Sequence, residues 1–423
     1  MDAISGLFDR PKSARCAILV SLRLGRGHSE HDPRELAELV RSAGLQVAES
    51  LDVRRAAPDP ALCLGKGKVD ELKLLGQECG ADALIIDREL SATQQRNLEK
   101  ALAMRVMTRT ELIIYIFSLR ARTHEGRLQV ELAALRHAQT RITGGWSHLD
   151  RQRGGVNLRG VGESQLDIDR RLVSHRVGVT RQRLDRVRRQ RATQRRLRTR
   201  SEVPQVALVG YTNAGKSTLF NRLCESEAYA DDRLFATLDA TMRMTRIEGV
   251  GPIVVSDTVG FIRNLPVHLV DAFRSTLEEV ANADLLLHVI DSSSPDLEVI
   301  RGSVMEVLSD LGADAIPLIE AFNKSDLPDA LDTAASGQRV AISARTGAGI
   351  ASLRSLVSRF LGNSARVLQV HVEPSAAKTR SWLYDLDAVV GETVNDDGSM
   401  DLEIRISRRH LPRLEAVDGV WLR

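Results

Sequence analysis

The stretch VALVGYTNAGKSTLFNRL, residues 206–223, sets Gly210 and Gly215 with four residues between them and follows the second with Lys216 and Ser217. An apolar run leads in and a helix-like segment leads out, the context of a phosphate-binding loop. Successive backbone N–H groups and a helix N-terminus concentrate positive potential at one point and cradle phosphates. Lys216 then reaches the outer phosphate oxygens, and the Ser217 hydroxyl ligates Mg2+. The candidate phosphate-binding residues are Gly210, Tyr211, Thr212, Asn213, Ala214, Gly215, Lys216, Ser217 and Thr218.

The base is selected further along the chain. NKSD, with Asn323, Lys324 and Asp326, follows the apolar run PLIEAF, and VAISARTG brings Ser343, Ala344 and Arg345. Guanine presents two adjacent donors, its ring N1–H and its exocyclic amine, and one carboxylate accepts both. Adenine puts an acceptor at the first position and leaves a lone pair facing Asp326, a contact that costs several kcal/mol when buried. Backbone N–H groups at Ser343 to Arg345 suit the guanine oxygen. The ligand implied is GTP or GDP with Mg2+.

Between these motifs lie two loops that respond to a γ-phosphate. Asp257 ends the run IVVSD and holds Mg2+ through a water, while Thr258, Val259 and Gly260 complete DTVG and offer the Gly260 N–H to the γ-phosphate. In RLFATLDATMR, residues Phe235, Ala236, Thr237, Leu238 and Asp239 form a threonine loop whose Thr237 is the second metal ligand after Ser217, with Thr241 as its competitor. Lys216, Thr237, Asp257 and Gly260 are the candidate catalytic groups. Phe261 stands where many nucleotide-hydrolysing switches carry a water-orienting glutamine. Positioning and electrostatics still drive phosphoryl transfer, so slow intrinsic turnover is expected. The missing group comes from a partner, from the threonine loop, or from a monovalent cation. Asn213 bears on the last option, because asparagine there resembles GTPases that use K+. The alternative is that it stabilises the loop.

The elements that position these residues read as α/β. With 423 residues the chain exceeds one core. Short apolar runs alternating with helical segments predict a small α/β domain at 1–110 and a mostly parallel sheet at 201–362, where QVALVG, IVVSDT, LLLHVID, IPLIEAFN and RVAIS are strands. In such sheets ligands bind at the carboxyl ends of strands, where the motifs fall. Residues 110–137 and 164–200 read as helices around the glycine-rich GGVNLRGVGES. The spacing of Leu166, Val173, Thr180 and Val187, with Val177 and Leu184 between them, predicts an antiparallel hairpin within 111–200. Residues 363–423 read as a small α+β domain with a hairpin at Asn395 to Gly398.

Net charge is only +3, but residues 120–200 hold 21 arginines against 7 acids. Such asymmetry fits a polyanionic partner, since clustered arginine gains affinity by releasing counterions from phosphate backbones. A solvated helix face is the plainer alternative, although after Asp169 only Asp185 interrupts the arginine series. Cys16, Cys63, Cys79 and Cys224 show no metal or disulfide spacing and fit a reducing compartment. No apolar run approaches the roughly 20 residues of a membrane span.

With its motifs in this order, the segment resembles a Ras-like GTPase of the translation-factor-related group. FATLDATMR, DTVGFIRNLPVHLVDAFRSTLEEV and GGVNLRGVGESQLDIDRR are similar more narrowly to the HflX family of ribosome-associated GTPases, over most of the chain. The resemblance implies a P-loop GTPase domain preceded by a small α/β domain and an arginine-rich hairpin and followed by a small α+β domain. It also implies partnership with the large ribosomal subunit and its rRNA rather than DNA, ribosome splitting under stress, and stimulation of hydrolysis by ribosomal particles. A monomeric cytoplasmic protein is expected, with peripheral membrane association left open. Two other readings stand beside it: a regulatory GTPase acting on a protein partner, and a nucleotide-driven RNA-remodelling enzyme using the LGKGKVDEL stretch of the N-terminal domain.

Overall fold

The computed structural model describes the chain apart from residues 1–14, 26–31, 145–160, 200–202, 226–233, 236, 239–240, 264–268, 270–278, 331–336, 363–364, 387, 408–413, 415–416, 418 and 423. Contacts divide it into two units. One comprises Met1–Arg189, Arg233–Asp239 and Arg263–Arg274; the other comprises Gln190–Asp232, Ala240–Ile262 and Ser275–Arg423.

In the first unit, strands β1 (Cys16–Leu24), β2 (Gln46–Arg55), β3 (Ala83–Ile86) and β4 (Arg105–Thr108) alternate with helices α1 (Pro33–Ser42), α2 (Lys66–Cys79) and α3 (Ala92–Leu102). The strands form one parallel sheet in the order β2-β1-β3-β4. The expected βαβα rhythm is therefore realised, because apolar strands flanked by amphipathic helices must bury both sheet faces. Ile18, Val20, Leu72, Leu84, Ile86 and Leu98 fill one core. Local signals set the helix starts: Asp32 accepts from the Arg34 N–H at 2.9 Å ahead of Pro33, and Ser91 with Gln94 forms a capping box.

Helices α4 (Arg109–Arg120) and α5 (His124–Gly144) replace the single helix read over 110–137. Ala121 leaves helical geometry at φ −64°, ψ 104°, and the Thr123 hydroxyl accepts the Gly126 N–H at 2.9 Å, starting a new helix. Without glycine or proline in Ala121–Thr123, the break carries little sequence signal. Helix α6 (Val161–Thr199) begins inside the stretch read as linker, so Val161 to Ser164 are helical. Leu184 packs with Leu128 and Leu132, while Gln139 lies 3.3 Å from Ser174, so α5 and α6 run antiparallel as the spacing predicted. Leu166 falls among the residues whose side chains lie outside the description.

In the second unit, β5 (Gln205–Val209), β6 (Thr241–Ile247), β7 (Gly251–Asp257), β8 (Leu285–Asp291), β9 (Leu318–Asn323) and β10 (Arg339–Ala341) form a sheet ordered β10-β9-β8-β5-β7-β6. Every pair is parallel except β6 with β7. Helices α7 (Lys216–Leu223), α8 (Leu297–Asp310) and α9 (Ile350–Gly362) join the strands, and Leu208, Phe220, Leu287, Ile319 and Leu353 centre the core. Strand β6 escaped the sequence reading because, as an edge strand, it is largely exposed and has no continuous apolar run. The remaining strands, β11 (Ala365–Val372), β12 (Val389–Val394), β13 (Met400–Ser407) and β14 (Val420–Leu422), pair antiparallel in the order β12-β13-β11-β14 beside α10 (Ala377–Asp385). The hairpin expected at Asn395 to Gly398 closes by Asn395 N–H to Ser399 O at 2.9 Å. Among the described residues no helix is long and apolar enough to cross a membrane.

Candidate nucleotide site

Because β5, β7, β8, β9 and β10 are parallel, their carboxyl ends fall along one edge, and each delivers one part of the site. β5 feeds the loop 210–215, whose second glycine is indispensable. Gly215 has φ +91°, and a Cβ there would lie 2.2 Å from Asn323 Nδ2. Lys216 opens α7 and is buried, its Nζ donating to the Gly210 carbonyl at 3.1 Å and the Tyr211 carbonyl at 2.6 Å. Burial drives its pKa down to about 8, against the opposing pull of the Asp257 carboxylate. The amine is held ready to exchange two neutral carbonyls for anionic oxygens.

β7 ends in Asp257, 3% exposed, whose Oδ2 accepts the Ser217 hydroxyl at 2.7 Å. Two hard oxygen donors thus stand side by side, as a Mg2+ shared with phosphates requires. Among the described residues no cluster of three or more His, Cys, Asp or Glu could hold a metal by itself. An ion here needs oxygens from the nucleotide. The residues fit that group: Ser217 and Asp257 would hold it, and it would neutralise phosphate charge.

The DTVGF segment is stitched to the phosphate loop. Phe261 N–H donates to the Gly210 carbonyl at 3.1 Å, and Thr212 N–H donates to the Phe261 carbonyl at 2.8 Å. Thr258, expected at the nucleotide, has its hydroxyl directed instead to the Leu208 carbonyl at 2.6 Å. Its side chain ties β7 to β5. A Cβ on Gly260 would fall 2.8 Å from Thr212 Cα and 2.9 Å from Lys216 Nζ, so only glycine lets this backbone approach the lysine. Phe261 is 5% exposed. Its ring supports the loop, while its backbone, not its side chain, faces the phosphate strand. Val259 is also buried.

β9 ends in Asn323, a bridge between motifs. Its Nδ2 donates to the Ala214 carbonyl at 2.8 Å, and its Oδ1 accepts the Ala344 N–H at 2.8 Å. Lys324 has φ +65° and an ion pair with Asp291 at 2.6 Å. Asp291 was not foreseen from sequence, although its place at the carboxyl end of β8 is where such groups belong. Asp326 lies 3.3 Å from Arg345. The Ser343 hydroxyl first, then backbone donors and the Arg345 and Lys324 charges, hold its carboxyl below the usual range, so it stays ionised to accept two donors. Of the three backbone N–H groups expected at the guanine oxygen, Ser343's turns instead to the Ala348 carbonyl at 2.9 Å and Ala344's to Asn323 Oδ1 at 2.8 Å.

The threonine-loop residues belong to the first unit. Leu234 N–H donates to Ser42 Oγ on α1 at 2.8 Å, and Phe235 is buried at φ +56°. Its ring meets Phe117 of α4 edge-on, centroids 4.6 Å apart. An aromatic ring flanked by core side chains is more stable there than in water, so the Phe235 side chain serves this packing. Leu238 is buried and Thr237 half-buried. Ala236 and Asp239 lie outside the described residues.

Family descriptions match four consecutive stretches: "GTP-binding GTPase N-terminal" at residues 30–118, "GTP-binding GTPase Middle Region" at 120–198, "50S ribosome-binding GTPase" at 205–324 and "HflX C-terminal domain" at 330–420. The GTPase HflX of Escherichia coli K12 is 43% identical over 406 residues, covering 95% of each chain. The GTPase HflX of Caldanaerobacter subterraneus is 41% identical over 90% of this chain and 89% of its own. A GTP-binding protein of Sulfolobus solfataricus solved with GDP aligns over 82% of this chain and 99% of its own at 22% identity and TM-score 0.47. With GTP hydrolysis the activity of this fold and motif set, the chain belongs to the HflX family of GTPases.

Proposed function

We propose that the protein is a monomeric, RNA-partnered switch of the large ribosomal subunit, one that splits or rescues ribosomes under stress. The carrying observation is a set of exposed arginines on α6, among them Arg176, Arg183 and Arg186, on a helix braced by α5. A helix held by Leu184 on one side presents its charge on the other, as a phosphate backbone requires. The family description "50S ribosome-binding GTPase" over the nucleotide domain supports the same reading. In this reading Lys216 and Gly260 act on the phosphates, Ser217 and Thr237 ligate Mg2+, Asp257 holds it through a water, and Lys216, Thr237, Asp257 and Gly260 are the catalytic groups. Asn323, Lys324, Asp326 and the turn at 343–345 select guanine, and Asn213 helps seat K+. Segments 1–110, 111–200, 201–362 and 363–423 act as separate parts.

The test is GTP hydrolysis with and without purified large ribosomal subunits, in K+ and in Na+. The expected result is stimulation by subunits, lost in Na+, with binding that weakens tenfold or more between about 50 and 200 mM salt. Tight GTP binding with no stimulation would overturn the ribosomal reading and favour a protein partner.

Asp326→Asn tests the guanine assignment separately. An amide replaces one acceptor by a donor, so GTP affinity is expected to fall about 10–100-fold. Xanthine nucleotide, which carries a carbonyl where guanine has its amine, should bind better than to the native protein. Calorimetry with both nucleotides reads the exchange, and unchanged GTP affinity would remove Asp326 from the base.

A further inference from the structure

Arg222 lies at the last turn of α7, six residues beyond the phosphate-binding lysine. No role in nucleotide binding falls to it from the sequence motifs. Its Nε donates to the Ala344 carbonyl at 3.3 Å and its Nη2 to the Arg345 carbonyl. Apart from the Ala344 N–H on Asn323, the turn it grips closes largely on itself. Ser343 N–H bonds to Ala348 O at 2.9 Å, Gly347 N–H to Ser343 O at 2.8 Å, and Thr346 N–H to Ser343 Oγ at 3.1 Å.

We propose that Arg222 is a positioning residue for guanine selection, which sets the orientation of the 343–345 peptides by holding the Ala344 and Arg345 carbonyls. The inference rests on the nucleotide site described above. A trans peptide is planar, so its C=O and N–H point in opposite directions. Fixing the Ala344 carbonyl on α7 therefore aims the Arg345 N–H away from α7. Asn323 Oδ1 fixes the preceding N–H, that of Ala344, at 2.8 Å. The two tethers start from one segment, since Asn323 also holds Ala214 of the phosphate loop and Arg222 shares a helix with Lys216 and Ser217. Phosphate seat and base seat are thereby kept in one register. A forked guanidinium suits the task, because it can donate to two carbonyls at once, whereas an ammonium is a point charge that favours one.

The test compares Arg222→Met, which keeps an apolar stem, with Arg222→Lys, both in the full chain. Affinities for GDP, 6-thio-GDP and IDP are measured by displacement of a fluorescent guanine nucleotide. The sulfur analogue weakens only the contact at the guanine oxygen; IDP loses only the amine that Asp326 accepts. Arg222→Met is expected to weaken GDP about tenfold, the worth of hydrogen bonds from a charged donor. It should also shrink the GDP to 6-thio-GDP ratio while leaving the GDP to IDP ratio unchanged, and Arg222→Lys should restore part of the loss. An equal fall for all three nucleotides, or no fall, would overturn the proposal, since the arginine would then support the fold or nothing. A native protein that fails to prefer GDP over ADP would instead sink the guanine assignment on which the proposal rests. If the methionine variant does not fold, the ratios of the lysine variant decide.

Discussion

Lys216→Ala lowers single-turnover GTP hydrolysis about 10²–10³-fold, the loss expected when one preorganised charge aimed at a reacting phosphate is removed. The size follows from where the amine sits. It is 6% exposed, bonded to the Gly210 and Tyr211 carbonyls, and burial holds its pKa at about 8 against an ordinary 10.5. A charge already stripped of water and fixed by two carbonyls needs little rearrangement when a phosphate arrives. The same depressed pKa makes a second measurement decisive. Between about 8 and 10.5 the unfolded chain binds the proton that the folded nucleotide-free chain releases, so stability rises with pH across that window. Below it the full desolvation penalty is present. Phosphates restore the proton, so nucleotide binding takes one up, and GDP affinity should fall by up to about tenfold per pH unit above 8. Lys216→Met should abolish that slope. A GDP affinity flat from pH 7.5 to 9.5 in the native protein would mean that the lysine keeps its ordinary pKa.

The parts of this site that could be read from sequence are those that phosphates and guanine impose on short stretches of chain. A loop that must place Lys216, Ser217 and a glycine against Asn323 within a few residues leaves a local pattern, and so does a carboxylate set to accept two donors. What could not be read is held by contacts between distant residues. Arg222 meets carbonyls 122 and 123 residues away. Asp291 meets Lys324, 33 residues on. Phe235 and Phe117 meet edge-on from distant parts of the chain, and nothing in FATLD distinguishes a ring that lines a ligand from one that joins a core. The fold was legible for a related reason. Buried parallel strands such as ALII and LLLHVID are continuous apolar runs, but β6 is an exposed edge, and the α4–α5 break depends on the capping hydroxyl of Thr123. The rest of the hairpin was visible because one helix face must be apolar to pack on another.

Glu111→Ala is expected to destabilise the full chain by about 3–5 kcal/mol, the range for removing one partner of a buried ion pair. Glu111 sits at the third position of α4 and is 5% exposed. Its Oε2 accepts the Thr108 N–H at 3.0 Å, closing a capping box, and Gln95 of α3 at 3.2 Å. Its Oε1 accepts from Arg141, with His137 at 3.7 Å, both on α5. Burial alone would raise its pKa, but the neighbouring His137, the Arg141 charge and the Thr108 N–H outweigh burial and hold it below its ordinary 4.5. The stabilisation is therefore complete above about pH 4.5 and lost as pH falls below it, with the unfolded chain taking up the proton first. One carboxylate thus joins the α/β sheet's last strand, α3, α4 and the C-terminal end of α5. Removing it leaves Arg141 half-buried without its carboxylate and opens one half of the α4 capping box at once. Urea denaturation of native, Glu111→Ala and Glu111→Gln chains separates the terms. The glutamine keeps an acceptor for Thr108 but not the charge, so it should recover only the capping share, about 1 kcal/mol. Full recovery by glutamine would show that the cap, not the ion pair, holds the hairpin. If the arginine-bearing α6 is the ribosome-facing element, either variant should weaken subunit-stimulated hydrolysis more than intrinsic hydrolysis, because Glu111 braces the hairpin and touches no nucleotide.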